Sequence, residues 1–166
     1  MGVKIKTTKD EFPEMQRTAN VLSGRKVKVG VFGGEHEWLA GIHEYGCKIP
    51  VTPEMRAYLH NIGIHLKKST TVITIPERSF IRAGHDQYAK QVLDVAEKVL
   101  PDVLAGTMSE DQYCRMVGET MASKIKAYAI DLQDPPNSEW TIQEKGSTNP
   151  LIDSGDMVGS INYEVE

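Results

Sequence analysis

The chain is poor in most of what dedicated chemistry or covalent stapling requires. It has two cysteines, Cys47 and Cys114. Neither lies in a Cys-x-x-Cys pair or at Cys/His metal spacing, so free thiols are expected rather than a disulfide framework or a zinc site. Aromatic residues make up 7% of the sequence, too few for a broad base-stacking surface. No run of about 18 apolar residues is present to span a bilayer, and no apolar N-terminal region resembles a signal peptide. Positive charge is not in excess: the formal net charge is −4. A primary nucleic-acid binder needs a basic face to neutralise phosphates, so sequence-specific binding of nucleic acid is not expected. Synthesis and use in a cytoplasm, or incorporation into a particle, is the expected fate.

What is present fits one modest domain. The chain has 166 residues, 40% of them apolar, enough for a packed core. Residues 1–26 read as an N-terminal segment with a helix, because Phe12, Met15, Ala19 and Leu22 recur at helical spacing. Residues 27–166 read as a single α+β domain. Val27, Val29 and Val31 alternate with Lys28 and Gly30, a strand pattern. Glu37 to Tyr45 reads as a short helix stopped by Gly46. An excursion at about 48–68 contains one helix start, Thr52-Pro53-Glu54, with threonine as cap and proline in the first turn.

Thr71 to Ile75 is nearly all β-branched and reads as a strand, closed by Pro76. Two long helices follow, Asp86 to Leu104 and Glu110 to about Leu132. Ser109 and Gln112 form a capping-box pattern at the start of the second. Residues 137–156 read as loop with one short turn, and Val158 to Val165 as a last strand. The expected architecture is α+β: a small, mostly antiparallel sheet packed against two long helices, with extended loops.

Candidate catalytic or metal groups are scattered. His43-Glu44 would need a second histidine to complete His-Glu-x-x-His, and Cys47 stands there instead. A small hydrolase or metal-dependent enzyme using His43 and Glu44 is therefore the minor alternative, and no cofactor or metal is expected. Gly30 to Gly34 lacks the spacing of a phosphate-binding loop. Pro76-Glu77-Arg78-Ser79-Phe80 is a stiff turn from which Phe80 is expected to anchor in the core and Arg78 to meet a carboxylate. In Leu151-Ile152-Asp153-Ser154-Gly155-Asp156-Met157, Asp153 or Ser154 is expected to cap a short helix. These turns serve either packing within the domain or contact with a neighbour.

Charge is unevenly spread. Lys4, Lys6, Lys9, Arg17, Arg25, Lys26 and Lys28 dominate the beginning, and Asp134, Glu139, Glu144, Asp153, Asp156, Glu164 and Glu166 the end. These are either two solvated faces or complementary faces of adjacent copies.

Four segments in order carry a family resemblance: Val29-Gly30-Val31-Phe32, then Ala40-Gly41-Ile42-His43-Glu44-Tyr45-Gly46, then Ile73-Thr74-Ile75-Pro76-Glu77-Arg78-Ser79-Phe80, then Thr141-Ile142 to Lys145 with Pro150-Leu151-Ile152-Asp153-Ser154-Gly155-Asp156-Met157 and Ser160-Ile161. This pattern resembles the neck, tail-completion and head-tail joining proteins of tailed bacteriophages, also called virion-morphogenesis proteins. Ser79 stands where that family often has a second proline, and many members lack the 48–68 excursion. The resemblance implies a structural protein without enzymatic activity, at the neck or tail of a virion and in the host cytoplasm during assembly. It implies self-association into a six-fold ring and contact with other neck or tail proteins. On that reading the candidate interface residues are Lys26, Lys28, Arg78, Phe80, Asp153, Asp156, Ile161 and Tyr163, with Val158 to Val165 offered as an edge strand.

Overall fold

The computed structural model of the chain describes residues 10–166. Lys4, Lys6 and Lys9 of the basic beginning therefore lie outside the described residues. The fold is α+β. In chain order it runs α1 (Phe12–Gly24), β1 (Val27–Val31), α2 (Gly34–Tyr45), β2 (Cys47–Pro50), α3 (Pro53–Asn61), β3 (Val72–Ile75), α4 (Ile81–Leu104), α5 (Glu110–Asp131), α6 (Glu139–Lys145), α7 (Asp156–Gly159) and β4 (Ile161–Val165).

The two long helices, α4 and α5, form the scaffold and pack along each other. Gly84 near the start of α4 sits against Ile125 and Tyr128 near the end of α5. The helices therefore run antiparallel, as a short connection demands. The Ser109 cap on α5 is the expected box: the Ser109 hydroxyl accepts from Gln112 N–H, and the Gln112 side chain accepts from Ser109 N–H. Pro101 lies in the last turn of α4 and does not end it; the helix continues to Leu104.

The expected single sheet is two separate ribbons. β1 pairs antiparallel with β4, with Val27 opposite Val165 and Val31 opposite Ile161. β2 pairs antiparallel with β3, with Cys47 opposite Ile75 and Pro50 opposite Val72. The β1–β4 ribbon lies on α5, and Gly118 makes the approach possible. A Cβ there would fall 2.5 Å from Tyr163 Cδ2. The core gathers Phe80, Val92, Met121, Ile125 and Ile161 between the long helices and this ribbon. Fully burying a side chain such as Phe80 is worth roughly 1.5–3 kcal/mol.

Three further expectations change. The first long helix begins at Ile81 rather than Asp86. Residues 139–145 form α6 rather than loop, with Ser138 accepting from Thr141 N–H at 3.2 Å and Gly146 in the left-handed conformation after it. Val158 and Gly159 belong to α7, so the last strand is shorter than expected.

Candidate functional site

The end of the scaffold where α4 begins and α5 ends is closed by side chains from elsewhere in the chain. The local residue at the α4 start, Phe80, provides no side-chain cap. Glu44, from the last turn of α2, takes that place. One carboxylate oxygen accepts from Ile81 N–H at 2.9 Å. The other accepts from Ser79 Oγ at 2.9 Å, Arg82 N–H at 3.0 Å and Arg82 Nε at 2.9 Å. An anion at a helix N-terminus answers its free N–H groups and its dipole together. This distant cap explains why α4 starts five residues before its periodic apolar pattern. Arg82 also reaches Glu77 at 2.8 Å and lies over the Tyr45 ring at 4.7 Å.

The strand-to-helix turn is held from its other side as well. Arg78 N–H donates to the His43 carbonyl at 2.7 Å. The Arg78 guanidinium donates to the Pro135 carbonyl at 2.8 Å, the Pro136 carbonyl at 3.1 Å and Asn137 Oδ1 at 3.2 Å. Among the described residues no carboxylate meets it, contrary to expectation; the segment just beyond α5 wraps it in amide oxygens. Gly46, at φ 69°, has no room for a Cβ, which would lie 2.9 Å from both Glu77 N and Ile75 O. Burial, with the Arg78 and Lys145 cations nearby, holds the His43 imidazole down at about 4.

Asn149 closes α5 in the same manner. Its Nδ2 donates to the Ile130 carbonyl at 2.7 Å and to Leu132 at 3.3 Å, and its Oδ1 accepts from Leu151 and Ile152 N–H at 2.8 and 3.0 Å. Asn149 had no assigned role in the sequence; its position before a buried Pro150 and an apolar pair was the available signal.

The candidate residues separate by this geometry. Phe80 and Ile161 are 0% and 1% exposed, and Arg78 is 5% exposed. All three are spent within the chain and are not surface for a neighbour. Lys28 pairs with Glu166 of its own ribbon, and Lys26 N–H donates to the Glu166 carbonyl. The attraction expected between basic beginning and acidic end is thus in part made inside one chain. Tyr163 is half-buried with its ring against Gly118. Asp153 and Asp156 are exposed; Asp156 accepts from the Ser154 hydroxyl at 2.7 Å, and the residue at the cap position of α7 is Gly155, not Asp153 or Ser154. His43 and Glu44 are adjacent, but both carboxylate oxygens of Glu44 are occupied by α4. Among the described residues no three His, Cys, Asp or Glu side chains gather at metal-binding distance.

The second half of the site is the arm that leaves this junction. Residues 47–75 run out along β2, through α3, and back along β3. β2 and β3 pack chiefly on each other, and neither they nor α3 packs substantially on a helix or strand of the body. The tip is organised by Arg56, whose guanidinium collects the carbonyls of Leu66, Lys67 and Thr70. Thr52 caps α3 by accepting from Met55 N–H at 3.2 Å. Apolar side chains remain uncovered on and beside the arm: Tyr58 is 64% exposed, and Trp38 and Tyr45 on α2 are 69% and 68% exposed. Comparisons with protein-family models, with curated proteins and with solved structures gave no match to this chain.

Proposed function

We propose that the chain is a structural assembly protein of a tailed phage or prophage, without enzymatic activity, that joins head to tail or completes the tail end as a ring. The observation that carries this reading is the arm. A two-stranded ribbon by itself is marginal in water, and this one projects from the body with large apolar side chains uncovered on it and at its root. Such surface is the signature of a protein that completes its packing on a partner. The phage-like segments support the same reading, because two of them form the Glu44–Arg78 junction from which the arm departs. Their residues set the direction of an arm and leave no free acid–base pair.

The test is genetic. Disruption of the coding sequence in its phage or prophage is expected to give DNA-filled heads and separate tails in electron micrographs, with infectivity restored by the chain supplied in trans. Joined, infectious particles from the disrupted phage would overturn the reading.

A further inference from the structure

The hydrogen-bond parity of the two ribbons leaves a defined remainder. Mutual backbone bonds between Lys26 and Glu166, at 2.9 and 2.8 Å, fix which residues of β1 face β4. Stepping in twos along the register, Lys28 and Gly30 face β4, and Val27, Val29 and Val31 direct N–H and C=O outward. In the arm, the bond from Val51 N–H to the Thr71 carbonyl, 2.9 Å, sets the same alternation. Cys47 and Ile49 face Ile75 and Ile73; Lys48, Pro50, Val72 and Thr74 turn outward.

Two of the four outer edges are blunted. Pro50 has no N–H to present on β2. On β4, the Tyr163 N–H is taken by the Asn162 side chain at 2.9 Å. Among the described residues no strand pairs with the outer edge of β1 or of β3. Beside β1 lies a groove of about 500 Å³ whose lining includes Val27, Val29, Ile81, Val117, Met121 and Ile125. On β3, Ile73 and Ile75 share one half-buried face.

We propose that β3 of one copy adds to the outer edge of β1 of a second copy, seating Ile73 and Ile75 in the groove beside it. The two ribbons then form one four-stranded sheet across the interface. The inference rests on the assembly reading for its occupant and names the contact that reading requires. Charge favours a second copy. The arm carries Lys48, Arg56, Lys67 and Lys68 against Glu54, a net +3; the whole chain is −4, so the remainder carries −7. Each copy has one donor edge and one acceptor edge, the heterologous pairing that repeats by rotation into a ring.

The test uses two prolines placed where the N–H already points outward, so that each ribbon keeps its internal bonds. Thr74→Pro closes the donor edge, and Val29→Pro closes the acceptor edge. By sedimentation velocity up to about 1 mM, the wild type is expected to associate and each variant to stay monomeric. Mixed, the variants are expected to form a 1:1 dimer and nothing larger, because one intact donor meets one intact acceptor. Thr74 lies in the arm, so its variant leaves the body folded and decides the matter even if Val29→Pro does not fold.

A wild type that stays monomeric, including one whose arm folds back onto its own β1, overturns the proposal. So does a Thr74→Pro chain that assembles like the wild type. That second outcome would leave the assembly reading standing, whereas joined particles from the disrupted phage would remove the assembly reading itself.

Discussion

The junction around Glu44 and the arm over residues 47–75 meet at Gly46, yet they differ in how their polar groups are satisfied. At the junction, one buried carboxylate accepts four hydrogen bonds and one buried guanidinium donates three. The partners come from α2, the turn before α4, and the segment after α5, so the bonds tie together parts far apart in sequence. In the arm, the bonds are local: Arg56 to nearby carbonyls and Thr52 to its own helix. Among the described residues nothing pairs with its outward strand edge, and Tyr58 stays exposed. The junction is a place where stability is concentrated. The arm is held in shape but contributes little to holding the body. The difference teaches that the junction ties distant parts of the chain together, whereas the arm keeps its polar bonds to itself and leaves apolar side chains uncovered.

The largest effect should come from breaking the junction. Glu44→Ala removes the acceptor for two α4 N–H groups and leaves Ser79 Oγ and Arg82 Nε without theirs. Loss of a buried, charge-assisted cap of this kind costs about 3 kcal/mol or more. Urea denaturation followed by far-UV circular dichroism measures it; a loss below about 1 kcal/mol would mean the cap is dispensable.

Acid should weaken the same region. The His43 pKa is lowered from 6.5 to about 4 in the folded chain. Between those values the unfolded chain binds a proton that the folded chain refuses, so stability falls as pH drops through that window and is intact above it. From pH 7 to about pH 4.5 the contribution is roughly 2 kcal/mol. His43→Gln removes this proton, so the variant should lose less stability than the wild type over that interval. Equal losses in the two proteins would show that His43 titrates normally.

A smaller effect probes how the ribbon seats on the scaffold. Gly118→Ala ordinarily favours a helix by up to about 1 kcal/mol. Here the added carbon meets the Tyr163 ring, and overpacking of this kind costs about 1–3 kcal/mol. A net loss is expected, and Tyr163→Ala in the same chain should cancel most of it through coupling of touching residues. A stabilised Gly118→Ala would mean that the ribbon rides higher on α5.

These sites also mark what a sequence can disclose. Local signals were legible: the Ser109–Gln112 box, Thr52-Pro53 before α3, the alternation of β1, and the class of the fold. The start of α4 was not, because its cap is Glu44, distant in the chain, and no local pattern records such a partner. β2 was hidden because Cys47 to Pro50 is too short to show alternation and is recognisable only opposite β3. α6 was legible in principle: Ser138, Glu139, Lys145 and Gly146 are start and stop signals that the surrounding polar residues obscured. Of the candidate interface, Phe80 points inward, as its place after the stiff Pro76 turn predicts, whereas the sequence alone could not assign Ile161, since an apolar residue at a strand start fits a core and a docking face equally well.

The smallest effect is the sharpest test of the comparison. Replacing residues 52–70 with Asn-Gly closes the ribbon directly on the Val51–Thr71 pair, which is bonded across the strands and so suits a two-residue turn. The change removes α3, the Arg56 network and most of the charge of the arm, but no side chain of the junction or core. Because the arm packs chiefly on itself, the stability of the body should change by less than about 0.5 kcal/mol, the range of a neutral surface change. The shortened chain keeps β3 and its open edge, so association through that edge should survive, weakened by loss of the basic tip and most strongly at low salt. A drop of several kcal/mol would show that the excursion braces the body after all. Unchanged stability with complete loss of association would move the docking surface from β3 to α3.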